Sequence, residues 1–301
     1  MGFMSKKKRT KKKEVKAANF FVFFVFLGLF FGLIFSVLVY LKLKTSSFLS
    51  LNRVNFVFID KEKNPFVFSF EEQNGLVLTL PVYNKFRVTR GFGEYELRKV
   101  YALGELEGKG GELLAETLQE NIPVAIFGYF YDEKSKADFY LNSSRRLFFK
   151  IFFRGLKGEL KTNLSKVDLI VLLVKSLRIN SSLVKLVNYN GEAGDFFKDR
   201  KIREESLSIE VLNATEQSGL AQRMSRLFDK SGGRIVRIAD APEKQERCRI
   251  ITGKDPRESY TLRWIRYIYD CPVEQIGNEE ARADVTIVFG ENYWKNEGKK
   301  W

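Results

Sequence analysis

The chain has 301 residues, of which 45% are hydrophobic, and it carries 51 Lys and Arg against 37 Asp and Glu, a formal net charge of +14. This length allows about two domains with real cores. The chain holds no histidine and only two cysteines, which excludes imidazole-dependent catalysis, His-ligated zinc and a four-thiolate metal site. We expect no cofactor and no metal.

The N-terminal region combines a basic tail with an apolar run. Residues 1–17 hold eight Lys and Arg against one Glu, and the 22 residues of 20–41 include no charged side chain. A helix of this length spans about 33 Å, which matches a hydrocarbon core of about 30 Å. Signal-peptide apolar regions are shorter, at ~7–15 residues. The sequence therefore predicts a cytoplasmic tail over 1–19 and an uncleaved transmembrane helix over 20–41.

The distribution of cations sets the expected orientation. The cations of the tail outnumber Lys42 and Lys44, which follow the apolar run, so the N-terminus stays cytoplasmic and residues 42–301 are extracytoplasmic. The predicted localisation is the cell membrane, with the lipid bilayer as a partner. Within the run, Gly28 and Gly32 form a small-xxx-small pair. This pair allows a homodimer or incidental helix packing.

Residues 53–190, which follow a juxtamembrane linker over 42–52, are predicted to form a mixed α/β domain. Strands are expected at Val54–Ile59, Pro65–Phe70, Leu76–Leu80, Lys85–Thr89 and Pro123–Tyr131. Helices are expected at Gly111–Gln119, around Leu141–Phe153, and at Val167–Leu177 with Ser165 as N-cap. Residues 191–206 are polar and are predicted to be a second linker.

Residues 207–292 are predicted to form a β-α-β-β-α-β-β module, so the fold class is α/β (α+β). Its first strand covers Leu207–Asn213, and a helix follows from about Ser218. The second helix is expected to start at Asp255 as N-cap, with Pro256 in the first turn. Residues 293–301 are predicted to be a polar tail.

The second module resembles the LytR C-terminal domain family. Three motifs carry the resemblance, in the order that the family shows: Ile209-Glu210-Val211-Leu212-Asn213-Ala214-Thr215, Ser218-Gly219-Leu220-Ala221, and Ala283-Asp284-Val285-Thr286-Ile287-Val288-Phe289-Gly290. The family has glycine where this chain has Ala214. The resemblance implies an exported bacterial accessory module.

The preceding region resembles a reduced LytR/CpsA/Psr domain, a family that attaches lipid-linked glycopolymers to peptidoglycan. The resemblance lies in the strand Val54–Asp60, in Leu78-Thr79-Leu80-Pro81, in Val100-Tyr101-Ala102-Leu103-Gly104 and in Thr162-Asn163-Leu164-Ser165. Asp60 and Arg98 are the charged residues near the family's site positions.

This region departs from the family where the chemistry would be carried. The chain has Val82-Tyr83 where the family has Arg-Asp, and Pro65–Phe70 holds no acid. Binding a pyrophosphate and a divalent cation needs carboxylates and guanidinium groups. We therefore expect a non-catalytic, membrane-anchored envelope protein with no catalytic residue. Its C-terminal module would bind a wall component or a partner protein. The alternative is an active transferase of the LytR/CpsA/Psr type.

Two candidate binding sites follow from charge and loop pattern. The basic segment 145–178 has nine Lys and Arg against two acids, so it could contact an anionic wall polymer or the lipid headgroups; a solvated helix face is the other interpretation. The partners considered for the chain are an anionic cell-wall glycopolymer or an envelope protein. No nucleic-acid partner is expected, because the large domains lie outside the cell. The residues that would contact the polyanion are Arg145, Arg146, Lys150 and Arg154. The second candidate is a loop at a helix N-terminus, where backbone N–H groups favour anions; its residues are Asn213, Thr215, Ser218 and Gly219. Capping by Thr215 or Ser218 is the other interpretation of this loop.

The two cysteines, Cys248 and Cys271, lie in the same module. They could form a disulfide outside the membrane or remain two buried thiols, and the sequence favours the thiols.

Overall fold

A computed structural model describes residues 30, 41–44, 46–135, 145–191, 195–253, 255, 258–269, 271–277 and 282–294. Within these ranges no helix is long and apolar enough to cross a membrane. The predicted tail 1–19, Gly28, Gly32 and all of the predicted span 20–41 except Phe30 and Leu41 lie outside them. One unit ends at Leu49 with the short 3₁₀ helix Ser47–Leu49. The second unit, residues 50–301, is called the folded unit below.

The first half of the folded unit is built on a six-stranded sheet and a two-stranded hairpin. In chain order its elements are β1 (Arg53–Ile59), β2 (Pro65–Glu71), β3 (Asn74–Thr79), β4 (Lys85–Val88), β5 (Gly93–Glu96), α1 (Leu97–Glu105), α2 (Gly110–Asn121), β6 (Tyr129–Tyr131), α3 (Arg145–Leu156), β7 (Lys161–Thr162), α4 (Lys166–Ser176) and β8 (Val184–Asn188). The sheet order is β7-β6-β1-β2-β3-β8, and β4 pairs with β5. Strands β1, β2 and β3 are antiparallel to one another, while β6 and β8 join in parallel.

Both faces of this sheet are buried. Successive side chains of a strand point to opposite faces, and in the central strands most side chains on both faces are apolar. Val57 and Ile59 of β1 face a core shared with α1 and α2. Phe56, on the opposite face, lies 5.4 Å from the ring of Phe152 on α3, edge to face. Gly111 permits α2 to approach the sheet, since a Cβ at this position would lie 2.2 Å from the Tyr129 ring. The result is three layers, helix on sheet on helix.

The predicted elements of this half are confirmed in most cases, with some differences. The expected strand Pro123–Tyr131 is regular only over Tyr129–Tyr131. Helix α1 and strands β5, β7 and β8 are additional elements; α1, β5 and β7 are short, and β8 is an edge strand whose side chains are mostly exposed. Ser165 caps α4 as predicted, in a capping box with Asp168.

The predicted linker 191–206 includes packed structure. Its residues 200–205 form helix α5 (Arg200–Glu205), and the side chains of Phe197 and Ile202 are buried. Asp199, also buried, caps α5 by accepting from the N–H of Lys201 at 2.9 Å. The polar composition predicted a solvent-exposed linker, but polar side chains of this segment form hydrogen bonds within the folded unit.

Asp199 and Glu71 tie the two halves of the folded unit together. Asp199 accepts hydrogen bonds from the side chain of Asn52, from the N–H of Arg53 and from the hydroxyl of Tyr260. Glu71 pairs with Arg53 and accepts from Asn52 and from the N–H of Arg200. We call Asn52, Arg53, Glu71, Asp199 and Tyr260 the polar joint. It connects β1, β2, α5 and the second half.

The second half follows the predicted β-α-β-β-α-β-β order, which confirms the mixed α/β class. Its strands form a five-stranded sheet in the order β10-β9-β13-β11-β12. The helices α6 and α7 contact each other through the rings of Phe228 and Trp264, 6.2 Å apart. The elements are β9 (Ser208–Asn213), α6 (Leu220–Lys230), β10 (Arg234–Asp240), β11 (Arg249–Thr252), α7 (Tyr260–Ile268), β12 (Val273–Gln275), β13 (Val285–Phe289) and α8 (Glu291–Trp294).

The predicted start of α7 at Asp255 is wrong. The helix begins at Tyr260, and Ser259 is the N-cap, with its Oγ accepting from the N–H of Leu262 at 3.1 Å. Glu205 of α5 accepts from the N–H groups of Tyr260 and Thr261. A carboxylate from a distant segment therefore completes this helix end, which a local capping pattern does not include.

Two further expectations in this half need correction. Residues Glu291–Trp294 form helix α8, and Tyr293 is buried, so the predicted polar tail begins inside the domain rather than after it. Cys248 and Cys271 form a disulfide, with their Cα atoms 5.3 Å apart. The two buried thiols favoured by the sequence are therefore wrong.

Candidate functional site

The predicted basic stripe on α3 divides into two parts. Arg145, Arg146 and Lys150 are exposed. Arg154 faces inward, and its guanidinium group binds both carboxylate oxygens of Asp132, at 2.5 and 3.2 Å. It also pairs with Glu159. Arg154 is therefore a partner for a buried acid, and its inclusion among the polyanion contacts needs correction.

The predicted anion loop after β9 satisfies its own polar groups. Asn213 accepts from the N–H and the hydroxyl of Thr215, and the hydroxyl of Thr215 accepts from the N–H of Gln217. The N–H of Glu216 donates to Glu291. Gly219, at φ 72°, is the N-cap of α6 without a side-chain cap, so capping by Thr215 or Ser218 is wrong. The loop's N–H groups are largely occupied by intramolecular bonds.

Asp60 and Arg98 have structural surroundings. Asp60 is fully buried in the turn between β1 and β2, where its carboxylate accepts from the N–H and the side chain of Asn64. Arg98 pairs with Glu96, and its guanidinium carbon lies 4.6 Å from the centre of the Tyr83 ring. Both residues are thereby accounted for by turn and surface interactions.

The structure instead presents a cleft where the two halves meet. It measures about 380 Å³, within the range of small-ligand sites, and lies between the β4–β5 hairpin, the end of α2 and the outer side of α6. Three arginines from these elements line it: Arg87, Arg223 and Arg226. We call it the arginine cleft.

The hairpin holds Arg87 in place through its main chain. The side chain of Asn121, at the end of α2, accepts from the N–H of Arg87 at 3.3 Å and donates to its carbonyl oxygen at 2.8 Å. These bonds occupy the backbone and leave the guanidinium group exposed toward the cleft. Arg223 and Arg226, spaced i and i+3, lie on one side of α6. Among the described residues, Arg223 donates to the carbonyl of Ser218, at 3.1 Å.

The arginine cleft carries an excess of positive charge. None of Arg87, Arg223 and Arg226 forms an ion pair with a carboxylate of the described residues, and Glu120 is the acid among the lining residues. By contrast, Arg90 in the same hairpin pairs with the buried Glu116, and this hydrogen bond raises the pKa of Arg90 against the opposing effect of burial. Three guanidinium groups facing one concave space repel each other, so an anion there is favoured.

A larger pocket of about 830 Å³ lies beside α7, and its lining includes several acids, among them Glu205 and Asp284. Their carboxylates already have partners: Glu205 caps α7, and Asp284 accepts from the N–H and hydroxyl of Ser208. Across the described ranges, no group of three or more acidic or cysteine side chains is placed to hold a metal ion. These two carboxylates therefore hold the domain together and are not free ligands in this pocket.

Sequence reasoning missed the arginine cleft because its residues lie far apart in the chain. Arg87 is separated from Arg223 by more than a hundred residues, and the second half is nearly neutral overall. No local pattern marks the site. The arginines come together because α2 contacts α6, and this contact exists only in the folded chain.

The fold defines a mixed α/β protein whose C-terminal module has its own five-stranded sheet. Residues 206–293 match the family described as LytR cell envelope-related transcriptional attenuator, which confirms the resemblance of the C-terminal module. No curated protein matches the chain.

Several solved structures are weakly similar to the chain. A transcriptional regulator from Enterococcus faecalis shares 10% identity over 48% of this chain and 78% of its own, with a TM-score of 0.36. TagV from B. subtilis shares 11% over 47% and 85%, with a TM-score of 0.34. TagT from B. subtilis shares 12% over 46% and 79%, with a TM-score of 0.33.

Proposed function

We propose that the protein is a non-catalytic, membrane-anchored protein of the bacterial cell envelope that binds an anionic envelope polymer in the arginine cleft. The cleft is the observation that carries this proposal, because it joins cationic side chains from both halves of the folded unit. Guanidinium groups bind phosphate and carboxylate oxygens through paired N–H donors. A polymer with repeated anionic groups fits an open cleft of this charge.

Three further features support an envelope location. Residues 206–293 match a cell envelope-related family. The apolar run 20–41 follows a strongly basic tail, the pattern of a single-pass anchor with its bulk outside. The disulfide Cys248–Cys271 is a bond typical of oxidising compartments.

We propose no catalysis because Asp60, the acid near the family's site positions, is engaged in the fold, where its carboxylate accepts from Asn64 inside a turn. Asp132, which follows the neighbouring strand β6, is paired with Arg154. Residues 53–190 are proposed as a reduced LytR/CpsA/Psr domain on the sequence resemblance alone. When the protein is given a lipid-linked glycan, peptidoglycan and Mg²⁺, it should transfer no glycan above background. Turnover that is lost on Asp60→Asn or Arg98→Gln would establish the transferase alternative instead.

The binding site is tested with the full chain in nanodiscs of neutral lipid. Poly(glycerol phosphate) is the probe, neutral dextran is the reference polymer, and calorimetry measures the affinity. The triple variant Arg87→Gln, Arg223→Gln, Arg226→Gln should bind at least about tenfold more weakly, since each charge-assisted contact contributes roughly 1.5–3 kcal/mol.

The matched control is Arg145→Gln, Arg146→Gln, Lys150→Gln, which removes the same charge from α3. It should bind nearly as well as the unchanged chain. Equal weakening in the two triple variants would show that overall charge, and not the cleft, attracts the polymer. Equal affinity for dextran would exclude an anionic ligand.

A further inference from the structure

Helices α3 and α4 cover one side of the six-stranded sheet and leave a row of apolar side chains outside. Phe149 and Phe153, one turn apart, stack with their ring centres 5.9 Å apart at an interplanar angle of 13°. On α4 and just beyond its end, Ile170, Val174 and Leu177 follow the same outward stripe. Their exposed fractions run from 37% for Phe149 to 54% for Val174. We call these five residues the outer face.

The outer face is a surface feature rather than part of the core. The inner sides of the same helices already bury Phe148, Phe152 and Leu172 against the sheet. The α3 N-terminus is fixed to the segment after α4, since the N–H of Arg145 donates to the hydroxyl of Ser181. A contiguous apolar surface of this kind indicates an interaction site.

Cations surround the outer face. Exposed basic side chains lie on the same two helices and directly after them, and the ammonium group of Lys157 lies 4.7 Å from the Phe153 ring centre. Acids in the segment are engaged: Glu159 pairs with Arg154, and Asp168 forms the capping box of α4. The surrounding cations are Arg145, Arg146, Lys150, Lys157, Lys166 and Arg178.

The point where the chain enters the folded unit lies beside this face. Lys175 of α4 donates from its ammonium group to the carbonyl of Leu51, the residue that precedes the polar joint. Nine residues, 42–50, separate Leu51 from the end of the apolar run. Fully extended, nine residues reach at most about 30 Å. If 20–41 spans a bilayer, this short connection lets the surface around Leu51 and α4 reach the lipid.

We infer that the outer face docks on the outer leaflet of the membrane, with anionic lipid headgroups as its ligand. Phenylalanine and aliphatic side chains enter the headgroup region, and lysine and arginine side chains extend to the phosphates. The surrounding cations are complementary to an anionic lipid surface. Each of them should raise the docked population roughly fivefold. This inference rests on the membrane anchoring in the proposed function. It assigns the α3 cations to lipid and the arginine cleft to polymer.

The test uses the full chain in vesicles of neutral lipid or of neutral lipid mixed with phosphatidylglycerol. Val174→Cys carries an environment-sensitive fluorophore, and Val236→Cys on β10, similarly exposed, is the matched control position. With anionic lipid, the probe at 174 should shift to the blue and be quenched by doxyl groups on the acyl chains, while the probe at 236 does neither. Arg146→Gln, Lys150→Gln and Lys157→Gln together should abolish most of the quenching at 174.

The outcomes separate the docking inference from the anchoring. A chain that does not float with vesicles refutes the anchoring. A chain that floats but shows no lipid quenching at 174 overturns the docking. A blue shift at 174 without lipid quenching also overturns it, because the face is then covered by protein. Phe149→Gln with Phe153→Gln should reduce quenching while flotation is unchanged.

Discussion

At the scale of single residues, Arg154 shows that burial changes the role of a charged side chain. The run of four basic residues on α3 predicted a cationic surface, and three of these four side chains are exposed. Arg154 has the same residue type and a regular helical spacing, yet it faces Asp132, which is fully buried at the end of β6. The sequence shows the spacing of the cations, but the partner comes from another strand. Removing either member of a buried pair leaves an uncompensated charge.

We predict that Arg154→Gln lowers the free energy of unfolding by about 3–5 kcal/mol, the usual cost of breaking a buried pair. Arg146→Gln, on an exposed position of the same helix, should change it by less than about 0.5 kcal/mol. Urea denaturation followed by circular dichroism measures both. Similar values for the two variants would show that Arg154 has no buried partner in solution.

At the scale of elements, prediction succeeded where local pattern and fold agree and failed where distant groups complete an element. The alternating strands β1 and β2 and the capped helix α4 follow from their own residues. Helix α5 was missed because a six-residue polar helix has no apolar period; its stability comes from Asp199 at its start and from Ile202 beneath it. The same helix supplies Glu205 to the start of α7.

Glu205 gives this helix end a pH dependence. Burial raises its pKa, but the hydrogen bonds from Thr261, Tyr260 and Ser259 outweigh that effect and hold the pKa of Glu205 below its ordinary value. The folded state therefore favours the carboxylate, and the stabilisation is present at neutral pH and is lost as pH falls through the lowered pKa.

We expect Glu205→Gln to cost about 1–2 kcal/mol at pH 7, as for other helix caps. The difference from the unchanged protein should begin to shrink as pH falls below the ordinary glutamate pKa of about 4.3, and it should vanish only below the lowered pKa of the folded state, where both side chains are neutral. Urea titrations at pH 7, 5 and 3.5 measure the difference. A difference that is constant over this range would exclude ionisation of Glu205 as the source.

At the scale of the whole molecule, the two halves share the arginine cleft, the polar joint and a ring contact of 5.3 Å between Phe127 and Tyr267. The sequence predicted the order of elements in the second half and its family. It did not predict the cleft, since nothing in either half marks the surface that faces the other. It favoured two free thiols, wrongly, because the distance between the cysteines in space is a property of the folded sheet.

The disulfide should stabilise the second half strongly. It closes a loop with a sequence separation of 23 residues, for which the chain-entropy estimate is about 3 kcal/mol. The variant Cys248→Ala, Cys271→Ala should therefore melt about 6–12 °C lower by calorimetry, given ~2–4 °C per kcal/mol at this size. Reductant should lower the melting temperature of the unchanged protein and leave that of the variant alone. Insensitivity of both to reductant would show that the thiols are free.

The polar joint has a mechanical consequence. A chain held in a membrane at one end and bound to a polymer network at the other is under tension, and the pulling force enters at Leu51, directly before β1. Strand β1 is central in its sheet and is paired with β2 along seven successive positions. A load along its axis shears these pairs together instead of opening them one at a time, and Asp199 and Tyr260 pass the same load to the second half. In the proposed anchored and polymer-bound state, the first strand and the joint would carry this load together, as a tensile link between bilayer and wall.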